Sequence, residues 1–323
     1  MKQQDFEKNY SQQWQDIECF LAQKKQFQLN NELNQEIPAL YKGICYQLSL
    51  ARERQYSYHL IESLSQLANK LHSQMYKGRN SFKLKFLDFI FKDFPNTVHE
   101  NRWYMVAGFI LFFLPLGLTT LACYLNPELV YSIYPAEQVR EFDSMYSPEN
   151  KILGRERDSG TDIEMFGFYI YNNIGIAFRT FATGVLAGLG SLFFLVYNGL
   201  AIGAVMGYMA DIGYYSTFFP FVIGHGSFEL TAIAISGAAG LRLGASILMP
   251  GPYSRLLAIR LAASSCIKLM YGAFIMLLIA AFLEAFWSSS TTISNTIKYS
   301  VGTGLWILVC VPLLILTFKK REH

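Results

Sequence analysis

Long apolar runs fill the second two-thirds of the chain and restrict its fold more than any other feature. Residues 104–125 read YMVAGFILFFLPLGLTTLACYL, and further runs occupy about 166–186, 190–210, 220–249, 259–286 and 300–318. A helix of about 20 apolar residues crosses a bilayer core. Lipid cannot hydrogen-bond exposed backbone, so runs of this length are expected as helices, each satisfying its own peptide groups. The predicted fold class is all-α: a six-span transmembrane helical bundle with an N-terminal helical cytoplasmic domain. The stretch 166–210 reads either as two spans or as a re-entrant pair.

Charge is distributed to match. Residues 1–103 hold 14 Lys+Arg and 11 Asp+Glu, whereas 166–318 hold only three acids and six bases. Lys83, Lys85, Lys92 and Arg102 precede the first run, Arg255 and Arg260 separate the fourth from the fifth, and Lys319, Lys320 and Arg321 follow the sixth. Basic residues collect on the cytoplasmic side of spans. Six spans with both termini cytoplasmic put all three groups there, and put the acidic segment 126–165 outside. A net charge of +3 is too small to suggest nucleic-acid binding.

Residues 1–28 are polar and charged, without the apolar core of a signal peptide, so the N-terminal third is expected in the cytoplasm. Leu40, Ile44 and Leu48, then Leu60, Leu64, Leu67 and Leu71, recur at helical spacing, with Pro38 suited to a first turn and Gly78 a stop. Residues 81–94, SFKLKFLDFIFKDF, combine Phe82, Phe86 and Phe89 with Lys83 and Lys85, the composition of a helix lying at a lipid headgroup boundary. The resulting divisions are 1–79 (cytoplasmic helical domain), 80–103 (interfacial helix and linker), 104–125 (first span), 126–165 (outer acidic loop, with Arg155 and Arg157 among its acids), 166–318 (five further spans) and 319–323 (cytoplasmic tail). The cysteines, Cys19, Cys45, Cys123, Cys266 and Cys310, have no metal-ligand spacing and read as reduced.

Ionisable residues inside a membrane are costly and need partners. His225 and Glu229 are four apart and share a helix face. With alternating spans, Asn173, His225, Glu229 and Glu284 come to similar depth near the outer side, and Asn198 falls mid-membrane. This polar cluster reads as a structural network, as a proton or ion path, or as a metal site. Against the last, His225 is the one histidine in the spans, and neither metal nor cofactor is expected. Arg179 and Arg242 fall near the inner face, where they can snorkel to phosphates. Gly184 with Gly188, the series Gly199, Gly203 and Gly207, and Gly240 with Gly244 are small-xxx-small patterns that let helices approach closely, within one chain or between copies. There is no HExxH, no GxSxG and no phosphate-binding glycine loop, so no enzymatic activity is expected.

The segments YNN (171–173), YNGLAIG (197–203), GHGSFEL (224–230), GAAGLRLG (237–244), PG (250–251) and AAFLEAF (280–286) appear in an order that resembles the stage II sporulation protein M family of polytopic bacterial membrane proteins. Gly224 stands where the family often has Pro before the His-Gly pair. The family's characteristic polar positions map onto Asn173, Asn198, His225, Glu229 and Glu284. The long N-terminal helical part resembles the branch found in non-sporulating bacteria. The resemblance implies a protein of the bacterial inner membrane that anchors envelope-remodelling partners; the spans and the Phe- and Lys-rich helix add membrane lipids, and the glycine patterns leave a second copy of the chain as an alternative to packing within one chain. A channel or transporter using the polar cluster is the alternative.

Overall fold

The computed structural model describes residues 2–22, 33–77, 82–149, 162–290 and 292–318. Gly78, Arg155, Arg157 and the 319–323 tail lie outside them, as do the side chains of Phe82 and Lys83. The described residues are helical, with no strand. The chain divides into two compact units that part between Asp88 and Phe89.

The first unit contains α1 (Gln3–Ala22), α2 (Leu33–Glu53), α3 (Tyr58–Lys77) and the short α4 (Phe82–Asp88). Its interior is built of large side chains: Phe6, Ile17, Ile44, Leu64, Leu67 and Leu71 are buried, on the periodic positions of each helix. One polar contact is built in. Trp14 Nε1 donates to Gln47 Oε1 at 2.7 Å, and Gln47 Nε2 donates to Gln13 Oε1 at 2.9 Å, so the buried amide of Gln47 is served at both ends. Pro38 differs from the expectation: α2 begins at Leu33, which puts the proline in the second turn. The bond it forgoes is to the carbonyl of residue 34, at the end of the helix, where the loss is cheapest.

The second unit begins with a π-helical turn (Phe89–Asp93) and α5 (Phe94–Glu100). It continues through α6 (Arg102–Leu125), α7 (Ala136–Tyr146), α8 (Asp162–Ala182), α9 (Leu189–Asp211), α10 (Phe218–Leu248), α11 (Arg255–Leu283) and α12 (Asn295–Phe318). Five of these, α6, α9, α10, α11 with its extension to Ser288, and α12, are long and apolar enough to cross a membrane. The axis is α10. Of its apolar window 72% is buried, against 22–39% for the other four, and α6, α8, α9, α11 and α12 pack around it.

The course of α8 follows from its neighbours. Tyr169, near its start, packs with Ala281 and Ala285. The carbonyl of Phe181, near its end, lies against Gly240. Because Ser288 meets His225 and Cys266 meets Ala239, α10 and α11 are antiparallel, and α8 runs alongside α10 in the same direction. At the far side of the bundle His99 Nδ1 lies 2.9 Å from the carbonyl of Leu316, so the start of α6 adjoins the end of α12. Six helices therefore traverse the bundle in alternating directions, and α8 is the least apolar of them. The turn between α8 and α9 is closed by Gly188 at φ +84°, a left-handed conformation that glycine adopts without cost. Of the two helices in 166–210, α9 (23 residues) is one of the five candidate membrane spans and α8 (21 residues) is not.

This topology gathers Arg102, Arg179, Arg242, Arg255 and Arg260 at one end. At the other, residues 126–149 are ordered as a 3-10 turn (Pro127–Ser132) and α7. Val130, Val139, Phe142 and Tyr146 pack there against Tyr208, Met209 and Phe218.

Candidate functional site

The site grows from α10. His225 and Glu229, one turn apart, project from it where α11 ends. There the helix widens into a π-helical turn, Glu284–Ser288. A π-helical turn re-aims the side chains that follow it and recurs at functional sites. Glu284 enters the site from this turn. His225, Glu229 and Glu284 each offer a ligating atom, and the three atoms lie within 4.8 Å of one another. His225 is only 5% exposed, both glutamates are half-buried as residues, and Glu284 Oε2 is itself buried. At a rise of about 1.5 Å per residue, His225 lies roughly 10 Å from the start of α10, in the half of the bundle nearer α7.

Two residues of the surroundings have no counterpart in the sequence reading. Ser288 Oγ lies 3.0 Å from His225 Nδ1. The buried Lys298 of α12 donates from Nζ to the Ser288 carbonyl at 2.7 Å. Ser288 is four residues past Glu284, so the spacing that joined His225 to Glu229 could have found it. Lys298, one of six bases in the apolar region, carried no such signal. A chain of edge-on aromatic contacts adjoins the histidine: Tyr146 meets Phe221 with ring centroids 5.5 Å apart, and Phe221 meets the His225 ring at 5.3 Å. The segment after the first traverse thus reaches the site through two rings.

Asn173 is buried on α8, one turn beyond Tyr169. Its Oδ1 accepts from Asn172 Nδ2 at 2.9 Å, and its own Nδ2 has no partner. Asn198 turns to its own helix, donating to the Phe194 carbonyl at 2.6 Å, and does not join the group that converges on His225.

The seven glycines lie at helix contacts within the chain. A side chain at Gly184 would strike Gly240, and one at Gly244 would strike Gly188. Gly199, Gly203 and Gly207 lie in turn against the α6 carbonyls of Phe112, Leu116 and Thr120. Arg242 stacks over the Tyr104 ring at 5.5 Å, and Arg179 is exposed, with Nε donating to the Gly175 carbonyl at 3.0 Å. Phe89 packs edge-on to Tyr271 at 4.9 Å, in the bundle wall, whereas Phe86 is half-buried and Lys85 exposed in α4.

At the α7 end of the bundle, Tyr208 OH donates to Asp143 Oδ2 at 3.2 Å. Burial pushes the Asp143 carboxyl above its ordinary range, and the hydrogen bond from Tyr208 partly offsets this. Burial also pushes the Tyr134 phenol up to about 12, helped by Tyr197.

Comparison with known proteins matches residues 103–289 to the family model of stage II sporulation protein M, and residues 4–77 to a domain of unknown function (DUF8413). No curated protein and no solved structure matches the chain. The first match takes in the converging His225, Glu229 and Glu284, the glycine contacts and the π-helical turn. It covers more than half of the sequence, and the chain is a multi-pass membrane protein of the stage II sporulation protein M family.

Proposed function

We propose that the protein is a non-enzymatic membrane scaffold of the bacterial cytoplasmic membrane that holds envelope-remodelling partners, with both termini cytoplasmic. The observation that carries this reading is the backbone-to-backbone packing of the bundle. Glycines 184, 188, 240 and 244 join the α8–α9 turn to α10, and glycines 199, 203 and 207 hold α9 against α6. Contacts this close leave helices little room to slide, which suits a fixed platform better than a carrier. The platform offers two places for partners: the helical unit that ends at Asp88 and the folded segment 126–149. The orientation is supported by the arginines gathered at one end.

Affinity capture from gently solubilised native membranes tests the scaffold. One envelope protein recovered in stoichiometric amount, and lost on deletion of α7, supports it; a chain that purifies alone contradicts it. A second reading, a channel or transporter, is favoured by the convergence of His225, Glu229 and Glu284, since intramembrane ionisable groups mark ion paths. Ion flux in liposomes that falls with Glu229→Gln would favour transport, and flux unchanged by that substitution would remove its support.

A further inference from the structure

We propose that His225, Glu229 and Glu284 form a binding site for a divalent transition-metal cation, Zn²⁺ being the probe of choice. Sequence spacing supplied two ligands on one helix; the fold supplies the third from a different helix. The three ligand atoms lie within 4.8 Å of one another. Zinc bonds of about 2.0–2.2 Å to imidazole nitrogen and carboxylate oxygen need them somewhat closer, a change within reach of small side-chain rotations. Ionised together, two carboxylates this near each other repel unless they share a proton or a cation, and buried charges are stable when paired or bound to a metal. A doubly charged cation balances both.

The surroundings match what such a site requires. A ligating histidine commonly has its second ring nitrogen held by an outer partner that fixes tautomer and orientation. Here Nδ1 is engaged by Ser288 Oγ at 3.0 Å, which leaves Nε2 to ligate. Ser288 is itself held, its carbonyl accepting from Lys298 Nζ at 2.7 Å. The π-helical turn brings Glu284 and Ser288 onto one face, so one local distortion serves both the third ligand and the histidine's partner. One imidazole with two carboxylates suits zinc or manganese better than calcium or magnesium, which favour all-oxygen shells. Three protein ligands leave a tetrahedral zinc one coordination position that the protein does not fill. The proposal does not depend on the scaffold reading, because a resident ion can brace a platform as well as occupy a path.

The test uses the full-length protein in nanodiscs, stripped with a chelator and desalted after addition of Zn²⁺. Wild type is expected to retain one zinc per chain by elemental analysis, to melt at higher temperature with zinc, and to show a visible absorption band with Co²⁺. Glu229→Gln and Glu284→Gln are each expected to abolish retention while melting cooperatively without metal. Ser288→Ala keeps all three ligands and is expected to weaken binding roughly ten- to hundred-fold, the usual effect of removing an outer partner. Asp143→Asn, which removes none of the three ligands, is expected to bind as wild type. Wild type without retained zinc, or zinc held equally by both glutamine variants, overturns the proposal. Should those variants fail to fold, binding by Ser288→Ala equal to wild type overturns it alone.

Discussion

The two units hold their helices together by different means. In the first, Phe6, Ile44, Leu64 and Leu71 fill the interior, and removing large apolar groups from water supplies the drive. In the second, α10 buries every residue from Leu230 to Gly240, and apart from Leu230, Ile233 and Ile235 these are small: Thr231, Ala232, Ala234, Ser236, Gly237, Ala238, Ala239 and Gly240. Lipid is as apolar as leucine, so large side chains gain little by turning inward, and helices associate through close contact of small ones. Large residues such as Leu114, Leu118 and Ile307 are instead exposed on the outside of the bundle. A leucine in the second unit is therefore either buried, as Leu195 and Leu269 are, or exposed on the outside, as Leu114 and Leu118 are, and small residues fill much of the space between the helices.

The contrast can be broken most severely at Gly240. Its missing side chain would meet Ser191 Oγ and the Phe181 carbonyl, so Gly240→Leu is expected to abolish the monodisperse folded peak in detergent; a normal elution profile would deny the small-residue account. Leu64→Ala is expected to cost about 2–5 kcal/mol, as for other large-to-small core changes. The loss should be read by hydrogen exchange of the full chain as lost protection confined to the first unit. Leu118→Ala, on the outer face of α6, is expected to change stability by no more than about 0.5 kcal/mol, and an effect equal to that of Leu64→Ala would erase the distinction.

The apolar runs placed most traverses within a few residues of their final bounds, since length and composition alone decide whether a helix can cross. The His225–Glu229 pair was legible for a similar local reason, the helical repeat. Glu284 could be brought near it only by counting alternating traverses. What the sequence did not disclose depends on tertiary geometry: the π-helical turn that aims Glu284 and Ser288, the edge-on contacts from Tyr146 through Phe221 to His225, and the turn of Asn198 toward its own helix. Phe89 carried an interfacial pattern, yet its position beside Tyr271 depends on where α11 lies.

The smallest expected effect concerns Asp143. A carboxyl whose folded pKa is raised binds its proton more tightly in the folded state, so its contribution to stability falls as pH rises from the ordinary aspartate range through the raised value. Asp143→Asn is expected to remove that slope and to leave stability nearly unchanged below it. Parallel melting curves for the two proteins across this window would show that the carboxyl is not desolvated.

The fixed bundle is tested most directly by distances between spin labels on a cysteine-free background. One pair, at exposed positions Val185 and Leu248, reports the basic end; another, at Leu125 and Tyr215, reports the opposite end. The account expects one narrow distance distribution for each pair, unchanged between pH 5 and 8 and by added zinc. Two populations at each end, shifting in opposite senses, would contradict a platform and indicate a bundle that opens alternately to its two sides.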